Sequence, residues 1–239
     1  MASVTEAIIL NSIKYSETSV IMKCYSQNYG ILSFIIKGVR SRKRTKFSLS
    51  SIEPLSIVEI EFNRLKKGEL SHLKNIKSVV IYDDLRFNII KSNIAIFLAE
   101  FLSTVLRFQE ENTSLYQYIK DSLVTLDKIS KYENFHINFL INLLKFLGIK
   151  PEANNENCKF FDIENGIFKT INDSRYCVGG ELVIEFKKLL GINFDQYFEI
   201  LKTTNQRRNM TNFLMNYYKY HISGFKRPNS LEILNGLFS

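Results

Sequence analysis

Apolar and polar residues alternate with a period of two over the first 80 positions, as in strands that bury one face. These stretches are rich in β-branched and aromatic residues, which favour strands. We predict strands at residues 5–15, 19–25, 31–37, 55–63 and 70–81, with turns at 15–17, 27–30 and 66–68. Five short strands in this length indicate a small closed barrel. An OB-fold fits the count, and an Sm-like or SH3-like barrel fits almost as well.

After residue 84 the apolar positions recur every three or four residues, which indicates helices. We predict helices at 89–105, 115–130, 132–147, 181–190, 194–201, 206–221 and 230–237, with Asp83 or Asp84 at the N-terminus of the first. Residues 151–180 lose this period and collect Asn, Asp and Gly. The predicted fold class is therefore α+β: a five-stranded OB-fold β-barrel over residues 1–80, then an all-α domain over 81–239 with an irregular insert at 151–180.

The positive charge is concentrated in the predicted barrel. Residues 1–80 hold 13 Lys and Arg against 6 Asp and Glu, whereas residues 81–239 hold 19 against 18. The densest run is residues 37–46, in which six of ten residues are cationic and none is acidic. Such a run is either a solvated loop or a surface for an anionic partner. We predict that it binds nucleic acid through six side chains: Lys37, Arg40, Arg42, Lys43, Arg44 and Lys46.

Four aromatic residues lie on or beside the strands that flank this run: Tyr25, Tyr29, Phe34 and Phe47. One base stacked on such a ring contributes about 1–3 kcal/mol regardless of its identity. We therefore predict that these residues include base-stacking side chains. Some of them must belong to the core, and strand alternation places Phe34 either inside the barrel or on the binding face.

The sequence offers no motif for catalysis. His72, His136 and His221 are far apart, and neither a phosphate-binding P-loop nor a dinucleotide-binding glycine motif occurs. We predict that the protein is not an enzyme and has no cofactor. A small enzyme whose residues meet only in space is a remote alternative.

Cys158 and Cys177 raise the question of a zinc site. Two Cys-x-x-Cys pairs would supply four thiolates, but the third position after each cysteine holds Phe161 or Gly180, which cannot bind zinc. We predict buried free thiols and no metal. Three widely spaced cysteines, the third being Cys24, also suit a reducing compartment. Because no apolar run approaches the roughly 18 residues that span a bilayer, we expect a soluble cytoplasmic protein without membrane contact.

Several sequence blocks resemble a known family. The N-terminal blocks are Ala-Ile-Ile-Leu at 7–10, Tyr-Ser-Glu-Thr-Ser at 15–19, Gly-Ile-Leu-Ser at 30–33 and Lys-Gly-Val-Arg at 37–40. Their order and spacing resemble the opening of the bacterial RecO family of DNA repair proteins. Tyr-Tyr-Lys-Tyr-His at 217–221 and Ser-Leu-Glu-Ile-Leu at 230–234 resemble the end of the same family.

The resemblance implies an N-terminal OB-fold, a helical domain and an inserted zinc-ribbon-like segment. It also implies binding of single- and double-stranded DNA and annealing of complementary strands. The implied protein partners are RecR, the C-terminal tail of single-stranded DNA-binding protein and, indirectly, RecA, which the family helps to load. The four-cysteine version of the family would need cysteines at Phe161 and Gly180. We therefore interpret this chain as a metal-free member.

A protein-interaction adaptor is the main alternative from another functional class. In that case apolar grooves of the helical domain bind a peptide, and the basic run contacts an acidic protein instead of DNA. The dependence of oligonucleotide binding on salt distinguishes the two, because only phosphate contacts release counterions from DNA.

Overall fold

The computed structural model describes residues 2–41, 47, 49–63, 70–107, 110–152, 157–191 and 200–237. Its N-terminal part is a closed barrel whose strands follow the order β1-β2-β3-β5-β4. The strands are β1 (Ala2–Lys14), β2 (Val20–Ser26), β3 (Gly30–Ile36), β4 (Ile57–Asn63) and β5 (Leu70–Ser78). All pairs are antiparallel except β3 with β5. This five-stranded barrel confirms the predicted OB-fold.

The first strand is long because two neighbours share it. Its first half pairs with β4 from Ala2 to Ile8, and its second half pairs with β2 from Ala7 to Lys14. The register with β2 shifts between Ile9 and Asn11, so a bulge lies where the strand passes from one neighbour to the other. Alternate side chains then fill the barrel. Its core comprises Ala7, Ile9, Val20, Met22, Cys24, Phe34, Ile36, Val39, Ile52, Val58, Ile60, Phe62 and Leu73.

Helices follow the barrel, as predicted. They are α1 (Ile89–Val105), α2 (Thr113–Lys128), α3 (Phe135–Phe146), α4 (Glu181–Leu190), α5 (Thr204–His221) and α6 (Ser230–Leu237). Most of the helix predicted at 194–201 lies outside the described residues. The insert is more regular than predicted: β6 (Phe160–Asp162), β7 (Ile167–Lys169) and β8 (Cys177–Gly179) form a sheet in the order β7-β6-β8. Three residues are too few for strand alternation to be visible in the sequence.

The chain forms two compact units. The barrel unit comprises Met1–Lys128 with Pro228–Ser230, and the second unit comprises Ile129–Arg227 with Leu231–Ser239. The predicted boundary at residue 80 marks the end of the barrel, but α1 and α2 belong to the barrel unit. Glu6 on β1 explains part of this attachment. Its carboxylate lies 2.6 Å from the Lys120 ammonium of α2 and accepts a hydrogen bond from the Tyr116 hydroxyl.

The first helix begins differently from the prediction. Asn88 caps it, accepting hydrogen bonds from the backbone N–H groups of Ile90 and Lys91. The backbone N–H groups of residues 83, 84 and 85 instead donate to the Asp127 carboxylate of α2 over 2.7–3.1 Å. Asn88, and not Asp83 or Asp84, therefore caps this helix, because the segment of the two aspartates is held by α2 before the helix starts.

No helix among the described residues is both long enough and apolar enough to cross a bilayer.

Candidate nucleic-acid interface

The cationic run begins where β3 ends. Lys37 and Arg40 are exposed, whereas Val39 between them is 5% exposed and packs in the barrel core. Gly38 has a φ of 75°, a conformation that side chains with a Cβ rarely adopt. The turn at Gly38 thus allows Val39 to point inward while the two cations point outward.

Backbone hydrogen bonds hold this turn against the β1–β2 connection. The Arg40 N–H donates to the Thr18 carbonyl over 3.1 Å, and the Ser41 N–H donates to the Gly38 carbonyl over 2.8 Å. The position of Arg40 is therefore defined by the barrel. The other four predicted cations, Arg42, Lys43, Arg44 and Lys46, lie outside the described residues.

Two exposed residues that sequence reasoning missed lie at the same end of the barrel. Strands β1 and β3 both pair antiparallel with β2, so Lys14 at the end of β1 and Lys37 after β3 share one end. Lys14 is exposed, and the next residue, Tyr15, is 59% exposed. Lys14 lacks cationic neighbours in the sequence, so charge density could not identify it. The antiparallel direction of the predicted strands was the available signal.

Two of the four predicted stacking residues are buried. Phe34 is in the barrel core, with its ring centroid 5.3 Å from that of Phe62. Tyr25 lies on the outer face of β2, but Tyr116 of α2 packs beside it and its hydroxyl donates to the Asn112 carbonyl over 3.3 Å. Both are 0% exposed. Neither ring is open to a base in this structure, which corrects the stacking prediction for these residues.

The other two predicted rings differ from each other. Phe47 is partly buried and packs against the barrel core. Tyr29 is 43% exposed, but it lies in the β2–β3 turn, with its ring edge-on to Phe62 at 5.5 Å. That turn is at the opposite end of β3 from Lys37, about 20 Å away for a seven-residue strand. Tyr15 is therefore the exposed tyrosine on the cationic end.

Two of the three histidines lie against backbone carbonyl groups. The His72 ring nitrogen lies 3.3 Å from the Ile35 carbonyl, and that of His221 lies 3.0 Å from the Ile163 carbonyl. His136 is buried, and burial together with the charge of Arg207 lowers its pKa to about 3. Across the described residues, no three His, Cys, Asp or Glu side chains are grouped as a metal site.

The family's zinc site does not fit the residues present in the insert. Phe161, at one of the positions where the four-cysteine version needs a thiolate, is 0% exposed. Its ring centroid lies 4.8–5.7 Å from four other rings. This aromatic cluster consists of Phe161, Phe168, Phe186, Phe213 and Tyr217. Apolar packing thus replaces a metal ligand at this position.

Comparisons with known proteins cover both parts of the chain. The family model for the recombination protein O N terminal matches residues 1–82, and that for the recombination protein O C terminal matches residues 86–231. The chain is 35% identical to the DNA repair protein RecO of Christiangramia forsetii and 32% identical to that of Flavobacterium psychrophilum, over 98% of each chain. It is 32% identical to the DNA repair protein RecO of Phocaeicola vulgatus over 100% of both chains.

The two family models together span most of the sequence, and the relatives match it over nearly their full length. The chain therefore belongs to the RecO family of DNA repair proteins.

Proposed function

We propose that this protein is a DNA-binding recombination mediator whose barrel binds the phosphate backbone of single- and double-stranded DNA. The observation that carries the proposal is the cationic end of the barrel. Exposed Lys37 and Arg40 begin the run at residues 37–46, and Lys14 and Tyr15 lie at the same end. Residues 1–80 supply nearly all of the chain's excess positive charge. A surface of this kind attracts polyanions and releases their counterions on binding.

The proposed activity is annealing of complementary strands, which requires no bond-making step. Two DNA strands repel each other, and a cationic surface that neutralises phosphates on both lowers this repulsion. Base pairing then supplies the sequence specificity, because phosphate contacts carry none. The protein acts as a template and not as an enzyme in this mechanism.

The proposed partners follow from family membership. They are RecR, the C-terminal tail of single-stranded DNA-binding protein, and RecA, which is loaded with the help of RecR onto single strands coated with that binding protein. We also propose that the protein works in the cytoplasm.

The test is charge reversal of the run. The variant Arg42→Glu, Lys43→Glu, Arg44→Glu should lose at least about 100-fold in affinity for a single-stranded oligonucleotide at low salt, because three phosphate contacts become repulsive. The matched control reverses three exposed lysines of the second unit: Lys150, Lys188 and Lys219. Fluorescence anisotropy measures binding, and thermal melting checks folding. Unchanged binding by the first variant, with both variants folded, would contradict the proposal.

A further inference from the structure

The small sheet of the insert turns the family's metal positions toward different faces. In the β6–β8 pair, Phe161 lies opposite Val178, and Asp162 lies opposite Cys177. Directly opposite residues of an antiparallel pair point to the same face, and successive residues of a strand point to opposite faces. Phe161 and Cys177 therefore point away from each other, although the four-cysteine version of the family needs a ligand at each of these positions.

Gly180, at another of these positions, is unsuited to a cysteine. Its φ of 79° and ψ of −158° define a backbone conformation that is essentially restricted to glycine, and α4 begins at the next residue. A cysteine here would strain the turn between β8 and α4. Restoring the two missing cysteines would therefore not rebuild a tetrahedral zinc site in this fold.

The face that Asp162 and Cys177 share holds a lysine. Lys169 of β7 lies opposite Phe160, two positions before Asp162, so it points to the same face. Its ammonium lies 3.0 Å from Oδ2 of Asp162 and 2.9 Å from Oδ1 of Asp173. The Cys177 thiol donates to the same Asp173 oxygen over 3.7 Å. The four side chains form a lysine centre, which consists of Asp162, Lys169, Asp173 and Cys177.

The lysine centre joins separate segments of the insert. Its members come from the end of β6, the end of β7, the β7–β8 connection and the start of β8. Carboxylates and thiolates are ordinary zinc ligands, so the ammonium is surrounded by groups that bind a metal cation in other proteins. An ammonium has three N–H donors and one positive charge, and it can therefore bridge two carboxylates without a thiolate.

Asp162 makes this ammonium necessary. Its side chain is 1% exposed, and a buried carboxylate is strongly unfavourable without a compensating charge. The same carboxylate accepts hydrogen bonds from the backbone N–H groups of Glu164 and Asn165 and from the Asn165 side chain. The turn between β6 and β7 is therefore built around Asp162, and Lys169 balances its charge from the neighbouring strand.

We propose that the Lys169 ammonium takes the structural role of the zinc ion in this insert. The ion pairs of the lysine centre on one face of the sheet, and the aromatic cluster on the other, hold the three strands together without a metal. This inference concerns the second unit and does not depend on the proposed DNA binding.

The first test removes the ammonium in the full-length protein. Lys169→Met keeps a side chain of similar length but leaves the Asp162 carboxylate uncompensated, so the melting temperature should fall by about 3 °C or more. Hydrogen exchange measured by mass spectrometry should become faster in residues 157–179 and remain unchanged in the barrel strands. The control Lys159→Met, at an exposed lysine just before β6, should change the melting temperature by less than about 1 °C. A wild-type melting temperature for Lys169→Met would overturn the proposal.

A conservative variant separates charge from packing. Lys169→Arg retains the positive charge and should recover most of the melting temperature that Lys169→Met loses, including the case in which Lys169→Met fails to fold. If Lys169→Arg is as unstable as Lys169→Met, the shape of the side chain and not its charge holds the insert, and the proposal fails.

The last test restores the family's ligands. Phe161→Cys, Gly180→Cys should bind no stoichiometric zinc, which is measured as metal content after incubation with zinc and removal of the free ion. The melting temperature of the wild-type protein should be the same with and without EDTA, and this arm holds even if the restored variant misfolds. Stoichiometric zinc in a folded restored variant, or a lower wild-type melting temperature in EDTA, would overturn the proposal.

Discussion

The barrel and the second unit place their charged groups differently. Among the described residues of the barrel, the buried polar side chains are the hydroxyl-bearing Thr5, Ser19 and Ser26, and no Lys, Arg, Asp or Glu is fully buried. The second unit buries groups that ionise, including His136, Asp162 and Glu185. The positive charge is also concentrated in the barrel, because residues 1–80 have an excess of Lys and Arg, whereas residues 81–239 are close to balanced.

This difference gives the two parts of the protein different responses to salt and to pH. Surface cations leave the barrel's fold largely independent of pH but make its ligand binding dependent on salt, because each phosphate contact releases counterions. Buried ionisable groups make the stability of the second unit dependent on pH, since a change in their protonation alters the free energy of unfolding. We therefore expect salt to control what the barrel binds and acid to control whether the second unit stays folded.

The largest expected effect is on the core of the second unit. Phe161→Ala removes the ring at the centre of the aromatic cluster and should lower the free energy of unfolding by about 3–5 kcal/mol, because it leaves a cavity that neighbours cannot fill. Hydrogen exchange measured by mass spectrometry should show faster exchange in residues 157–191 and 200–221. The barrel strands should keep their protection. Equal loss of protection in both units would contradict the claim that this cluster stabilises the second unit and not the barrel.

A matched control for this variant is Ile171→Ala. Ile171 belongs to the same insert but is 64% exposed. Its truncation should change the free energy of unfolding by less than about 0.5 kcal/mol.

The next effect is the acid sensitivity of the second unit. His136 is buried, and its ring nitrogen lies 3.1 Å from the Thr211 hydroxyl, whose own proton goes to the Arg207 carbonyl. Nε2 is therefore the donor, and the imidazole is neutral. With the pKa lowered from 6.5 to about 3, its contribution is complete above pH 6.5 and is lost as the pH falls toward 3. The slope should be about 1.4 kcal/mol per pH unit.

A second ionisable group, Asp162, affects the stability of the second unit at lower pH. Burial raises the pKa of Asp162, but hydrogen bonds from Asn165 and Lys169 outweigh it and lower the value to about 2. Its contribution is lost only below about pH 4. In His136→Gln, melting temperatures measured across pH should therefore be flat from pH 6.5 to 4 and fall only below that range. An unchanged profile between pH 6.5 and 4 would rule out His136 as the sensor, and His72→Gln, at an exposed histidine, serves as the control.

The smallest effect concerns the two exposed tyrosines of the barrel. Tyr15→Ala should weaken binding of a single-stranded oligonucleotide by about 1 kcal/mol, roughly fivefold in Kd, because Tyr15 is the ring at the cationic end. Duplex binding should not change, since its bases are already stacked. Tyr29→Ala should alter neither affinity, because Tyr29 is at the other end of the barrel. A larger loss for Tyr29 than for Tyr15 would reverse the proposed location of the interface.

The fold was largely predictable because its strands and helices are long enough for their periods to be visible. All five barrel strands lie within a few residues of their predicted bounds. The exceptions involve tertiary contacts. The segment at residues 83–85 is held by the Asp127 carboxylate of a distant helix, and the three short strands of the insert are specified by pairing with one another.

The site was less predictable. Charge density is a property of a short stretch of sequence, whereas a binding surface combines residues that are far apart in the sequence. The run that begins with Lys37 and Arg40 was visible as a cluster of cations. Alternation could not show that α2 covers Tyr25, because that contact joins residues about 90 positions apart.

The most direct test of the central claim is a salt titration of the wild-type protein with a single-stranded oligonucleotide. If the cationic end binds phosphates, log affinity should fall linearly with log salt concentration between about 50 and 200 mM, with a slope near −3 for about four phosphate contacts. The charge-reversed variant of Arg42, Lys43 and Arg44 should show no measurable binding over the same range. A wild-type affinity that is independent of salt would contradict a barrel that binds DNA through its backbone.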